Sequence, residues 1–386
     1  MVTIAITHIG ELFTGDLACP VSSDDTLILQ DGRIVCSGGA GLLDRYTVDQ
    51  QVDAGGMTVT PGLIDSHVHP VIGDYTPRQK TQDFLDSALH GGVTTFISAG
   101  EPHTPGRPKD PAGVKALAVL GHKSFANLRS SGLKVHAGAV ILEKGLVEAD
   151  FAEMAKEGVW LVGEVGLGSV KDPAEARQMV DWAKKYNMKI AMHTGGTSIP
   201  SSSTVTAADV MAVSPTLVSH ANGGPTAISP EEVRRLVEET QLPLEIVQCG
   251  NPKIADLLVR KLAERNELQR VVLGNDAPSG TGVIPLGILR TLCQLASLSG
   301  IPVPQAVAMA TGNTARVFGL ECGLIAPGKE ADLVIMDAPL GSVGKTAAQA
   351  IAAGDIPGIA LVMVDGVIRV NKSRNTPPAA RTCRIQ

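Results

Sequence analysis

Residues 60–69 read TPGLIDSHVH, a short apolar stretch that ends in two histidines, His67 and His69. In a β-strand, residues two apart project from the same face, so this segment presents both imidazoles to one side. Imidazole is the commonest metal ligand in proteins, and two of them at this spacing can hold one ion. Taken alone, the pair is equally consistent with two partly solvated residues at the edge of a core.

Seven more apolar stretches follow the first one, and helical patterns separate them. The eight stretches are residues 59–67, 92–98, 133–139, 160–165, 189–193, 216–220, 242–248 and 270–276. The last five of them carry a polar residue at or next to the carboxyl end, at nearly constant intervals of 29, 27, 28 and 28 positions, namely Glu164, His193, His220, Gln248 and Asp276. Eight strand–helix units predict an α/β fold of the (β/α)8 TIM-barrel type, whose active site lies at the carboxyl ends of the strands. A doubly wound open sheet is the alternative, but it more often has a glycine-rich phosphate loop after its first strand, and no such loop is visible here.

The two ends of the chain have a different pattern, in which short β-rich runs flank turn signals. Asp31-Gly32 and Asp365-Gly366 each separate two such runs, which is typical of β-hairpins. Chain termini often lie close together, so we predict that residues 1–58 and 320–386 form one small β-sandwich. Residues 59–319 then form the barrel.

Composition excludes several classes of function. Only 3% of the 386 residues are aromatic, so aliphatic side chains must fill the core, as in parallel barrels. The net charge of −6, without a basic run, argues against nucleic acid or anionic membrane as a partner. No segment approaches the roughly 18–20 apolar residues of a membrane span, and the N-terminal residues do not resemble a signal peptide. Because the six cysteines form no close pairs, we expect reduced thiols and a cytoplasmic location.

Two carboxylates and two more histidines extend the first histidine pair. Glu164 lies within the apolar run 159–167, where a carboxylate is costly unless it is paired or bound to a cation. A buried ion pair is the alternative for Glu164, and a hydrogen-bonded structural role is the alternative for each of the others. Four histidines and two carboxylates at one barrel mouth are better explained together by metal binding. Six ligands exceed what one tetrahedral ion needs, so we predict two divalent ions, zinc, iron or both.

The segment TPGLIDSHVHP resembles the first-strand signature of the amidohydrolase superfamily. Residues 311–316 (TGNTAR), with the segments that follow up to Val334, resemble its closing region, and the resemblance covers nearly the whole chain. It implies a first metal ion bound by His67, His69, Glu164 and Asp276, and a second ion bound by Glu164, His193 and His220. Many binuclear members carry a carboxylated lysine on strand four. Glu164 is shorter, so the sequence leaves open whether it reaches both ions.

Within the superfamily, the sequence is similar to hydrolases of cyclic amides, including the cyclic enamide 6-oxo-1,4,5,6-tetrahydronicotinate of bacterial nicotinate degradation. This resemblance implies attack by a metal-bridging hydroxide, with Asp276 as the general base and then the general acid. Other cyclic amide hydrolysis (dihydroorotase-like or imidazolonepropionase-like), a mononuclear deaminase and a catalytically silent scaffold remain alternatives. Deaminases usually carry a glutamate three residues after the strand-five histidine, where this chain has Gly196. A silent relative should have lost ligands, yet all six positions are filled.

A carboxylated substrate needs cationic and hydrogen-bonding side chains near the barrel mouth. The loops after the strands offer five candidates for substrate binding, which are His103, Arg107, Lys171, Thr194 and Asn222. Tyr75 and Arg78 lie in similar positions, and solvated surface is the alternative for each of these residues. We expect a small-molecule substrate and no nucleic-acid or membrane partner, and the resemblance implies a homotetramer.

Overall fold

The computed structural model describes residues 2–70, 78–100, 106–129, 131–197, 203–224, 228–278 and 284–386, excluding the side chains of 78–82. The N-terminal strands are β1 (Thr3–Thr7), β2 (Glu11–Phe13), β3 (Val21–Ser22), β4 (Thr26–Gln30), β5 (Arg33–Gly38), β6 (Gln50–Asp53) and β7 (Thr58–Pro61). The central strands are β8 (Leu63–Val68), β9 (Val93–Ser98), β10 (Lys134–His136), β11 (Val140–Ile141), β12 (Leu161–Val165), β13 (Lys189–Met192), β14 (Leu217–Val218), β15 (Leu244–Val247) and β16 (Val271–Gly274). The C-terminal strands are β17 (Leu333–Asp337), β18 (Gly358–Val364), β19 (Val367–Asn371) and β20 (Arg384–Ile385).

Helices separate most of the central strands, and a few short ones follow them. They are α1 (Arg78–Leu89), α2 (Pro111–Asn127), α3 (Glu148–Lys156), α4 (Pro173–Lys185), α5 (Ala207–Val213), α6 (Pro230–Glu239), α7 (Pro252–Glu264), α8 (Gly287–Ser297), α9 (Val303–Met309), α10 (Gly312–Phe318) and α11 (Ala347–Ala352). Four of them (α2, α4, α6 and α7) begin at a proline that directly follows an aspartate, serine or asparagine cap. The cap side chain accepts hydrogen bonds from backbone N–H groups of the first turn, which have no partner within the helix. Proline has no backbone N–H, so it leaves no donor unpaired at this position, and the two residues together fix where each helix begins. No helix among the described residues is both long and apolar enough to cross a bilayer.

The central strands run parallel in one continuous series. The order is β8, β9 and β10 in one sheet and β11 to β16 in the next, and β10 and β11 are two pieces of the third strand. At the other end of the series, the Asp276 N–H donates to the His67 carbonyl and the His69 N–H donates to the Ala277 carbonyl, each at 2.9 Å. These bonds bring β16 back to β8. The parallel series and its helices confirm the predicted (β/α)8 architecture.

Both ends of the chain meet in two sheets that enclose a second apolar core. One sheet has the order β20-β6-β1-β4-β5, and the other has the order β19-β18-β17-β7-β2-β3. Ile6 and Leu29 of the first sheet pack in one cluster with Val59 and Leu361 of the second. The two Asp-Gly turns connect β4 to β5 and β18 to β19 as antiparallel hairpins, as predicted. The β-sandwich formed by both chain ends is therefore confirmed.

The first predicted strand, residues 59–67, is divided at Gly62. Residues on its N-terminal side form β7, which pairs with β2 and β17 of the sandwich, whereas β8 belongs to the barrel. A Cβ atom at Gly62 would lie 2.2 Å from Thr94 Oγ1, so only glycine fits where the chain passes between the two sheets. The domain boundaries at residues 58 and 319 remain a proposal.

Candidate metal centre

The six predicted ligands lie at the carboxyl ends of the central strands. His67 and Glu164 are within β8 and β12, and the others follow β8, β13, β14 and β16 by one or two residues. All six side chains are buried. The structure therefore brings together four imidazoles and two carboxylates that are up to 209 positions apart in the sequence.

Glu164 lies between the two pairs of histidines. Its Oε2 atom faces the first pair, at 3.6 Å from His67 Nε2 and 3.8 Å from His69 Nε2. Its Oε1 atom faces the second pair, at 2.8 Å from His220 Nε2 and 3.7 Å from His193 Nδ1. The two oxygens of one carboxylate thus point to different pairs, which is the geometry that a bridging ligand needs.

Asp276 completes the first half of the cluster. Its Oδ1 atom lies 3.1 Å from His69 Nε2 and 3.6 Å from His67 Nε2. Its Oδ2 atom accepts a hydrogen bond from the Cys249 thiol at 3.0 Å. In the second half, His193 Nδ1 and His220 Nε2 approach each other to 3.0 Å.

The buried carboxylates and imidazoles of the cluster shift each other's pKa values. Burial would lower the pKa of His67, but the charges of Glu245 and Glu164 raise that pKa well above its usual range. Burial would raise the pKa of Glu164, but His67 and His220 hold it well below its usual range. In the described part of the chain, every ion-pair partner of Glu164 and Glu245 is an imidazole. A cation bound at this point would satisfy both carboxylates.

Two of the six residues hold the backbone in the left-handed region. His220 has φ 30° and Asp276 has φ 57°, and each lies two residues after its strand ends. A non-glycine residue adopts this conformation at a cost, so the surrounding contacts must hold it there. Such strain is common at functional sites, and here it turns two side chains back towards the cluster.

Several contacts of the cluster were missed in the sequence. Glu245 in β15 accepts hydrogen bonds from His67 Nδ1 at 2.7 Å and from the Ser66 hydroxyl. Asp65 accepts the backbone N–H groups of His67 at 3.2 Å and Asn275 at 2.9 Å, and burial raises its pKa to about 7. Glu245 could have been found by the signal that identified Glu164, which is a carboxylate inside an apolar strand.

The predicted substrate-binding residues lie in different surroundings. His103 and Tyr75 lie outside the described residues, as does the side chain of Arg78. Arg107 forms a buried ion pair with Glu143 at 2.8 Å. Lys171 is exposed, and its ammonium donates to the Gly166 carbonyl at 2.8 Å.

Thr194 and Asn222 are buried, and both already make hydrogen bonds within the fold. The Thr194 hydroxyl donates to the Ser219 carbonyl at 2.8 Å. The Asn222 amide donates to the Val247 carbonyl and accepts the Val247 N–H, each at 2.9 Å. Their roles as substrate contacts stay a prediction.

The donor set fits a divalent metal ion. Two groups of three residues, each sharing Glu164, place one ligand atom per residue within 4.8 Å of one another. His67 Nε2 is buried and makes no hydrogen bond within the described structure, although it points into this cluster. Imidazole nitrogen and carboxylate oxygen are the ligands that zinc and iron take in proteins. The side chains thus fit a divalent metal.

A third group, Cys322, Glu330 and Asp332, also has metal-like spacing. The Lys134 ammonium already lies among its carboxylates, at 2.9 Å from Asp332. Since that ammonium neutralises the acidic charge, this group is an ion-pair cluster.

Known proteins resemble the chain along almost its entire length. A sequence model of the amidohydrolase family matches residues 58–369. The chain is 62% identical over 380 residues to the enamidase of Eubacterium barkeri, which covers 98% of each protein. A crystal structure of enamidase superposes with a TM-score of 0.96 at 61% identity and covers 100% of both chains. An adenine deaminase of Deinococcus deserti is 26% identical over 324 residues, or 80% of this chain and 53% of that protein. The chain therefore belongs to the amidohydrolase family and is a hydrolase that acts on carbon–nitrogen bonds.

Proposed function

We propose that this enzyme opens a cyclic amide by metal-dependent hydrolysis and that its substrate is the cyclic enamide 6-oxo-1,4,5,6-tetrahydronicotinate. The observation that carries the chemistry is the position of Glu164, whose two oxygens face two separate histidine pairs. The 62% identity to enamidase over 98% of both proteins supports the choice of substrate. The enzyme would then act in nicotinate degradation.

Two divalent ions, zinc, iron or both, would be held by the six side chains. His67, His69 and Asp276 would bind one ion, His193 and His220 would bind the other, and Glu164 would bridge them. The number of ligands favours two ions over one, since six side chains exceed the four that a tetrahedral ion needs and Glu164 turns one oxygen to each histidine pair. When bound, such ions lower the pKa of a coordinated water towards about 7 and polarise a carbonyl group.

Asp276 is the proposed proton carrier. Burial alone would raise its pKa, but the hydrogen bond with His69 and the charge of His67 lower it, so the side chain is ionised and can accept a proton. It would take the proton of the attacking water at Oδ1 or Oδ2 and pass it to the ring nitrogen as the amide bond breaks. Proton transfer of this kind contributes about 10²–10⁴-fold to the rate. The ring nitrogen stays attached to the neighbouring C=C carbon, so the first product is an open-chain enamine, which a second water converts to an aldehyde and ammonia.

Lys171 is the better candidate for binding a substrate carboxylate. Arg107 is already paired with the buried carboxylate of Glu143, so its charge is compensated. The Lys171 ammonium is exposed and donates only to the Gly166 carbonyl among the described atoms. That carbonyl belongs to the loop that follows β12, the strand that carries Glu164.

The enzyme is proposed to work in the cytoplasm as a homotetramer on a small molecule. All six cysteines are free, as a reducing compartment requires. Gly196, at the position where deaminases usually carry a glutamate, disfavours the deaminase alternative.

Incubation of the purified enzyme with a panel of rings tests this function. We expect 6-oxo-1,4,5,6-tetrahydronicotinate to take up one water as its ring opens, and mass spectrometry should detect this open-chain enamine or the aldehyde that it forms with a second water and loss of ammonia. Activity should disappear after chelation and return with zinc or iron. Dihydroorotate and imidazolonepropionate test the other cyclic amides, and adenine tests deamination. Ammonia release from adenine, or ring opening of dihydroorotate alone, would contradict the proposed substrate.

A further inference from the structure

Glu245 is a buried carboxylate next to the cluster that has no place in the proposed reaction. It lies in the middle of β15, its exposed fraction is 0%, and its neighbours in the strand are Leu244, Ile246 and Val247. An ionised carboxylate in such a place is costly unless specific groups compensate it. The fold must therefore supply those groups.

The two oxygens of Glu245 have separate partners. Oε1 accepts the Ser66 hydroxyl. Oε2 accepts hydrogen bonds from His67 Nδ1 at 2.7 Å and from the backbone N–H of His220 at 3.1 Å. One oxygen thus touches one histidine from each pair.

The contact with His67 fixes the tautomer of that ring. Because the carboxylate accepts the proton on Nδ1, Nε2 keeps its lone pair. Nε2 points towards Glu164 and Asp276, at 3.6 Å from each. An acidic partner of this kind orients a metal-binding imidazole and makes it more basic.

The contact with His220 acts on its backbone. His220 is in the left-handed region, and its N–H is held by Glu245 while its Nε2 lies 2.8 Å from Glu164. The other first-pair histidine, His69, is oriented by a neutral group, the Gly100 carbonyl at 2.7 Å from Nδ1.

We propose that Glu245 is a positioning residue that couples the two halves of the metal centre, because its Oε2 atom orients one histidine of each half. The inference rests on the proposed two-metal function. Loss of the carboxylate should weaken both metal sites together.

The test is metal retention by Glu245→Gln. The carboxamide has nearly the same size and can still accept one hydrogen bond, so the variant removes mainly the charge. We expect about 10–100-fold weaker metal binding at both sites. Metal content is measured after dialysis against graded chelator buffers with Co(II), and anomalous scattering from the crystals gives the occupancy of each site.

Ser66→Ala is the matched control. It removes the hydrogen bond to Oε1, which touches neither histidine, and should retain metal like the parent enzyme. Thermal unfolding of the metal-free proteins checks that each variant folds. Glu245→Asp, which keeps the charge but shortens the reach, should recover only part of the affinity.

The outcomes separate the two proposals. Parallel loss at both sites in Glu245→Gln supports the coupling, whereas loss at one site only, or no loss at either, overturns it. A parent enzyme that binds two ions but opens no cyclic amide refutes only the proposed function. The metal affinities of the parent and of Glu245→Gln still decide the role of Glu245. A parent enzyme that binds no metal refutes both.

Discussion

Replacing Lys134 with methionine should destabilise the enzyme by removing a partly buried cation between the barrel and the sandwich. Its ammonium lies 2.9 Å from Asp332, 2.7 Å from Asp365 and also contacts Glu330. Lys134 belongs to β10 of the barrel, whereas the three carboxylates belong to or flank strands of the sandwich. Methionine keeps most of the side-chain volume, so the variant removes mainly the charge.

The size of the effect follows from Asp332, which is buried. Burial raises its pKa above the ordinary value of 3.8, even though Lys134 lowers it. Without the ammonium, the folded protein would have to protonate Asp332. At pH 7 the full cost of that protonation is about 4 kcal/mol, since each pH unit above the ordinary pKa is worth about 1.36 kcal/mol, and the loss relative to the parent enzyme is smaller by what the raised pKa already costs the parent. At pH 5 the same step costs about 1.6 kcal/mol. Breaking a buried pair typically costs about 3–5 kcal/mol, which agrees with the value at pH 7.

The pH dependence gives the sharpest test. An acid whose pKa is raised in the folded state makes the fold more stable as the pH falls, because the folded state then binds more protons than the unfolded state. Urea unfolding should therefore show the deficit of Lys134→Met shrinking from pH 7 to pH 5, and Asp332→Asn in the same chain should remove this dependence. Lys123→Met, which breaks an exposed pair with Glu157, is the control and should have a much smaller effect. A deficit at pH 5 as large as that at pH 7 would show that Lys134 does not stabilise the fold by holding Asp332 ionised.

Three substitutions test the proposed chemistry. Asp276→Asn should keep metal but lose about 10²–10⁴-fold in kcat, because the amide cannot carry the proton; near-normal turnover would remove Asp276 from that role. His193→Ala should lower metal content by elemental analysis, while His122→Ala, whose ring lies away from the cluster, should not; equal metal in both variants would contradict the ligand assignment. Lys171→Met should lower kcat/KM for the carboxylated substrate about 10–100-fold by losing a charge-assisted hydrogen bond. It should leave a neutral cyclic amide unaffected, and an equal loss on both substrates would exclude the carboxylate contact.

Periodicity in the sequence was sufficient to predict the architecture. Strand–helix units of about 28 residues and two Asp-Gly turns predicted a barrel and a sandwich, and the structure has both. The strand breaks were not predictable. The division at Gly62 depends on the closeness of Thr94, and the interruption of the third strand at Gly138 occurs where that glycine, with φ 87°, passes close to the Ala118 carbonyl. Such contacts between distant segments leave no periodic signal in the sequence.

Local sequence rules identified only part of the candidate site, because its other contacts join distant segments. His67 and His69 share a strand face, and Glu164 interrupts an apolar run, so local rules were enough to identify them. Glu245 follows the same rule as Glu164, yet it lies nearer the start of its strand, and its contacts with Ser66 and His67 join positions about 178 residues apart. The Cys249 contact with Asp276 had no local signal, since it arises only when β15 and β16 pair side by side.

The most direct test of the two-metal centre is a crystal structure of the reconstituted enzyme with diffraction data collected on both sides of the zinc and iron absorption edges. We expect two anomalous peaks, one in contact with His67 and His69, the other in contact with His193 and His220, with a Glu164 oxygen bound to each. A cavity that stays without an ion after reconstitution, or imidazoles that turn away from a common point, would contradict the two-metal centre.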